Sequence, residues 1–139
     1  MVRISNQKLL EILEKNSRIP FLRLAKMFGV SETAIRKRVK TLERDGIIKR
    51  YTIEMDLKKL GLREAWIGID TKPERYIEVI ENIKRINDIK EFYLSTGDHM
   101  LMLKIIFRES HEIEDLIKRI EKIPGVVRVC PAIFIERIK

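Results

Sequence analysis

Apolar residues recur along this chain with two spacings, and the change from one to the other divides it. Up to about residue 45 the spacing is helical. Leu9, Ile12 and Leu13, with Leu10 beside them, form a stripe that predicts a helix from Ser5 to Asn16. Leu22, Ala25 and Met27–Phe28 predict a second, shorter helix. Pro20 suits its first position, where a missing N–H would be unpaired anyway. Gly29 follows where a helix ending in a left-handed residue favours glycine. Val30 is a lone apolar residue in the turn, expected to tuck between helices. Ser31 stands as an N-cap. Ile35, Val39 and Leu42 recur at i, i+4 and i+7 and predict a third helix, which Gly46 ends. Two helices joined by so short a glycine-bearing turn form a helix-turn-helix, and the first helix packed across them makes a three-helix unit.

Beyond residue 46 the pattern turns β-like. Ile47–Glu54 alternates loosely and is expected to be a wing on the helical unit or a strand linking two modules. Gly61 breaks the chain, so a boundary is expected near residues 55–61. Strands are expected at Arg63–Thr71, Ile89–Thr96, Met100–Phe107 and Val126–Ile138. Between them fall a helix at Arg75–Ile86, with Ile77, Ile80, Ile83 and Ile86 along one flank, and a second helix capped by Ser110, with Ile113, Leu116, Ile117 and Ile120 inward. The order β-α-β-β-α-β is ferredoxin-like. The expected fold is therefore α+β. A winged helix-turn-helix domain spans residues 1–54, a linker 55–61, and a ferredoxin-like domain 62–139. Met100–Phe107 and Val126–Val129 are apolar on both faces, yet two helices cover only one. The other face calls for a second copy of the chain, so a homodimer is expected.

Charge sharpens the division. Residues 1–60 hold 15 Lys and Arg against 7 Asp and Glu, whereas residues 61–139 hold 14 of each, so the whole net charge of +8 lies in the first part. One module is built to meet a polyanion and the other is not. The acid-interrupted N-terminus is not expected to be a signal peptide, and no apolar run approaches the ~20 residues that cross a bilayer. Cys130 is the one cysteine. It is expected to be a buried, inert thiol, which fits a cytoplasmic setting. With no Cys/His cluster, neither a metal nor a cofactor is expected. Isoleucine occurs 23 times and glutamine once, a bias resembling thermophile composition.

An α-helix fills the major groove of double-stranded DNA, and the first residues of a recognition helix face the base edges. Here those are Ser31, Glu32, Thr33, Arg36 and Lys37. Arginine grips guanine with two N–H groups, and threonine touches a thymine methyl. Lys40, Lys49 and Arg50 suit phosphates, which position without specifying. The plainer alternative is a solvated basic helix face. Turn, cap, apolar spacing and charge all agree on DNA instead. Trp66 is expected in the sheet or dimer core, His111 in solvent, and the methionines as core filler.

LLEILEKNSRIPFLRLAKMFGVSETAIRKRVKTLERDGIIKRYT, a strand linker and the β-α-β-β-α-β module together resemble the Lrp/AsnC (leucine-responsive, feast/famine) family of regulators across essentially the whole chain. The resemblance implies a transcription factor whose C-terminal module binds an amino acid or related metabolite. It also implies dimers that assemble into tetramers, octamers or open helices. Effectors in that family sit near the turn between the second and third strands. This points to Thr96, Gly97, Asp98, His99 and Met100. Gly97 matches the family glycine. Met100 stands where the family has an aspartate suited to a ligand's ammonium group. Val129-Cys130-Pro131-Ala132 stands where the last strand often begins with threonines. Asp98 or His99 is the nearest substitute, and a different ligand or none is the alternative. On residue types alone the segment is a hairpin turn, with glycine for positive φ.

The function so expected is sequence-specific DNA binding controlled by an amino acid or related metabolite, with no enzymatic activity. Two other functions compete. Sirohaem decarboxylase subunits look like this family, but only two histidines are present and no nucleophile–base pair is evident. An architectural DNA binder without an effector is the third.

Overall fold

Three helices open the structure, and their ends are set by local chemistry. Helix α1 spans Asn6–Lys15, α2 Phe21–Phe28 and α3 Glu32–Arg44. The Ser5 hydroxyl accepts from the Lys8 N–H at 3.3 Å, and that of Ser31 from the Ala34 N–H at 3.1 Å. Each removes one unpaired donor from a first turn. Helix α2 ends on Gly29 at φ 65°, a conformation that costs glycine nothing. Pro20 is the residue before α2 and not its first. Leu9, Leu13, Leu24, Ala25, Ile35, Val39 and Leu42 are buried together with Ile4 and Ile19. Val30 packs against this core as expected. Leu22 and Met27 point to solvent instead, because α2 turns its Leu24–Ala25 face inward.

The computed structural model describes residues 3–139. The chain divides into two compact units, residues 1–54 and 55–139. The first two residues of the expected 1–54 domain lie outside the described residues. Between α3 and a single 3-10 turn at Lys58–Leu60, the strand expected at Ile47–Glu54 does not form. A strand needs a hydrogen-bonding neighbour, and no other segment of the described chain pairs with this one. Its course is fixed from the helix side: the Ile47 and Ile48 N–H groups both donate to Leu42 O.

The second unit is a four-stranded antiparallel sheet. Strand β1 is Arg63–Thr71, β2 Ile89–Leu94, β3 Leu101–Phe107 and β4 Val126–Ile133, in spatial order β2-β3-β1-β4. Helices α4 (Tyr76–Lys84) and α5 (Ser110–Glu121) make the crossovers, giving β-α-β-β-α-β. Ala65, Ile67 and Ile69 of β1 and the alternate residues Leu101, Leu103, Ile105 and Phe107 of β3 meet Val79, Ile83, Ile113, Leu116 and Ile120. That alternation defines an inner, helix-covered face and an outer one.

Four details depart from the pattern. Ile77 is exposed and Val79 is buried in its place, because residues spaced by three drift around a helix of about 3.6 residues per turn and Ile77 falls off the Val79–Ile83 face. The α5 cap is Glu109, and the Ser110 hydroxyl accepts from Arg63 instead. Strand β4 stops at Ile133, five residues short of Ile138, with one further backbone bond from the Phe134 N–H to Glu64 O at 2.9 Å. Cys130 is only half-buried because its register partner is Gly68 on the outer face.

Candidate nucleic-acid interface and hairpin site

Helix α3 presents its cations as a set. The same helical period that buries Ile35, Val39 and Leu42 leaves Thr33, Arg36, Lys37 and Lys40 exposed, and they line one surface depression with Thr41, Glu43 and Arg44. Four of the eight residues expected to meet DNA are thus brought together. Ser31 is exposed just before them, its hydroxyl engaged in capping. Glu32 receives a hydrogen bond from the Arg36 guanidinium at 2.7 Å. Arg36 also lies over the Phe21 ring, 5.1 Å from its centroid.

Lys49 and Arg50 are exposed on the extended segment that follows. A residue the pattern did not single out holds that segment to α3. The Tyr51 hydroxyl donates to Glu43 Oε1 at 2.6 Å. Burial pushes the Tyr51 phenol up to about 12, and the hydrogen bond to Glu43 and its charge act the same way. The link spans eight residues and carries no period, so only the residue types hinted at it.

In the second unit, Thr96–Met100 does not act as one group. Gly97 turns the chain at φ 102°, and Thr96 and Asp98 are exposed. His99 and Met100 are instead tied to the sheet. The His99 ring lies on Gly68, where an added Cβ would meet ring atom Cδ2 at 2.2 Å. His99 Nδ1 is 3.1 Å from Asp70 Oδ2. The Met100 N–H donates to Asp70 Oδ1 at 3.2 Å. Arg128, on β4 opposite Asp70, donates to its Oδ2 at 2.7 Å and to Asp98 O at 3.1 Å. Burial raises the Asp70 carboxyl, but hydrogen bonds from Arg128, His99 and Met100 outweigh it and hold the group below the usual range. Asp70 and Arg128 were not among the expected site residues. A carboxylate alternating outward on a strand was their only signal.

The outer face of the sheet carries Trp66 and Tyr93, ring centroids 5.7 Å apart. Beside them Lys104 Nζ lies 3.6 Å from Glu64 and 3.3 Å from Glu91. His111 is exposed. Among the described residues no group of His, Cys, Asp and Glu is arranged to hold a metal, and no helix is long and apolar enough to cross a membrane.

Comparison with known proteins agrees with both halves. Residues 3–49 match a winged helix-turn-helix DNA-binding model. Residues 64–139 match the Lrp/AsnC ligand binding domain. The HTH-type transcriptional regulator LrpA of Pyrococcus abyssi is 48% identical, with 100% of both chains covered. The regulator LysM of Saccharolobus solfataricus is 38% identical over 88% of this chain and 86% of its own. Among solved structures, E. coli AsnC superposes with a TM-score of 0.80 at 28% identity, covering 99% of this chain and 95% of that one. The chain belongs to the Lrp/AsnC family of DNA-binding transcriptional regulators.

Proposed function

We propose that Ser31, Glu32, Thr33, Arg36 and Lys37 face base edges in the major groove, and that Lys40, Lys49 and Arg50 take phosphates. The observation that carries this reading is the exposed cationic face of α3 opposite its buried Ile35–Val39–Leu42 stripe. A helix buried on one side and basic on the other fits a groove and attracts its walls. The domain limits 1–54 and 62–139 belong to the same reading. So does a homodimer, the unit from which tetramers or octamers would be built. The outer sheet face with Trp66 and Tyr93, and exposed Ile47, Ile53 and Met55, supply apolar surface for a second copy. Two copies carry two recognition helices, as a palindromic site requires.

The effector site is read as the Thr96–Met100 hairpin, with an amino acid or related metabolite as ligand. Thr96 and Asp98 are exposed to meet it, while His99 and Met100 fix the hairpin through Asp70. The protein acts in the cytoplasm as a regulator and not as a sirohaem-decarboxylase-like enzyme, in line with relatives named as regulators. Selection of bound duplexes from a random pool, with and without an amino-acid mixture, tests the whole reading. An enriched palindrome whose recovery shifts with the mixture supports it. An unenriched pool sinks the DNA assignment, and an enriched pool indifferent to the mixture sinks the effector assignment.

A further inference from the structure

Arg36 is engaged within its own domain. One guanidinium N–H is 2.7 Å from Glu32 Oε1, and the guanidinium carbon sits over the Phe21 ring at 5.1 Å. Glu32 lies one helical turn earlier, on the same face of α3. A carboxylate there repels phosphates and has no gain from a generic duplex. Both partners are about half-exposed, so the ion pair is weak enough in water to exchange. A guanine edge, with two acceptors side by side, offers the fork a better partner than one carboxylate oxygen. A phosphate track without that guanine does not.

We infer that Glu32 is an internal competitor for Arg36 that sets the specificity ratio, and that Phe21 is a positioning residue that keeps the guanidinium aimed along α3. On a site with guanine at the right place, Arg36 leaves Glu32 and takes O6 and N7. On random DNA it stays with Glu32, and one cation is withheld from the phosphates. The ring face of Phe21 suits a guanidinium in either state and limits its wandering. This inference rests on the proposed docking of α3 in the major groove.

The test uses the full chain and two labelled duplexes, one carrying the selected palindrome and one of random sequence. A series of palindromes with each G·C pair changed in turn completes the set. Glu32→Gln should tighten binding to random duplex by at least about twofold. Its salt slope on that duplex should steepen by about one, as Arg36 reaches a phosphate. Palindrome affinity should rise more, because Arg36 no longer has to leave a carboxylate to reach guanine, so the ratio rises. Phe21→Leu keeps the apolar volume and should reduce discrimination at one G·C pair by about two- to fivefold, with random-duplex affinity unchanged. Phe21→Trp should restore it. Glu32 is exposed enough that Glu32→Gln folds whatever Phe21→Leu does, and a ratio that stays level or falls in Glu32→Gln overturns the inference. Phe21→Leu weakening every duplex alike overturns the positioning role. A wild-type protein that does not tell the two duplexes apart overturns the docking itself, and this inference with it.

Discussion

His99 rests on Gly68 with no room for a methyl group between them: a Cβ at position 68 would lie 2.2 Å from the ring's Cδ2 and 2.7 Å from its Nε2. Gly68 therefore serves the hairpin and not the strand. Gly68→Ala should push the ring off the sheet and destabilise the second domain by about 1–3 kcal/mol. The double variant Gly68→Ala, His99→Ala removes the clash and should recover part of that loss. Calorimetric melting of the four proteins checks the cycle. Strictly additive effects would mean that the two residues do not interact.

Asp70 ties that hairpin down, and its contribution depends on pH. Its carboxyl is held below its ordinary value of 3.8 in the fold. The charged form is thus the one favoured by folding. Its stabilising effect is fully present above about pH 4 and is lost as pH falls through the lowered value. Asp70→Asn should flatten this acid dependence in the second domain while leaving melting near neutral pH lower than wild type. Trp66, the one tryptophan, sits on the same outer face as Asp70 and serves as a fluorescent reporter. Identical acid titrations of wild type and variant would contradict the assignment.

Tyr51 gives the opposite sign at the other end of the scale. Its phenol is raised from 10.0 to about 12, so folding favours the protonated form. The tether to Glu43 is complete below pH 10 and is lost as pH rises through about 12. Tyr51→Phe should remove one late phenolate from the ultraviolet titration, which has three tyrosines in all. The same variant should loosen Lys49 and Arg50 and weaken DNA binding modestly on all sequences. Removal of an early-titrating phenol instead would show that the hydroxyl is free.

Much of this was legible in the sequence, for identifiable reasons. Helices α1 and α3 fell within a residue of their expected limits because Ser5 and Ser31 mark their starts and a clear apolar stripe runs along each. The topology of the second unit was readable because strands and helices alternate with short turns. What was missed depends on partners distant in sequence. Gly68 in a strand signals a close approach, but nothing local says that it comes from His99, 31 positions on. Arg128 meets Asp70 only once β4 is laid beside β1. The Ile47–Glu54 strand failed because β-propensity alone does not supply a neighbouring strand. Ile77 was misjudged because an i, i+3 run of isoleucines drifts off any single face of a helix with about 3.6 residues per turn.

Base reading and phosphate contact should separate by mutation. Arg36→Ala should cost about 1–3 kcal/mol on the selected site and relax preference at one position. Lys40→Ala should weaken binding almost equally on all sequences and lower the salt slope by about one. Fluorescence anisotropy over a salt series measures both. If the two variants behaved alike, the division of α3 into readers and positioners would be wrong.

The central claim is that the exposed basic face of α3 reads a particular sequence. Equilibrium binding of the full chain to its selected palindrome and to a scrambled duplex, at physiological salt, tests it most directly. The account predicts that the palindrome is bound more tightly by a factor of about a thousand or more. Equal affinity for the two duplexes would contradict it.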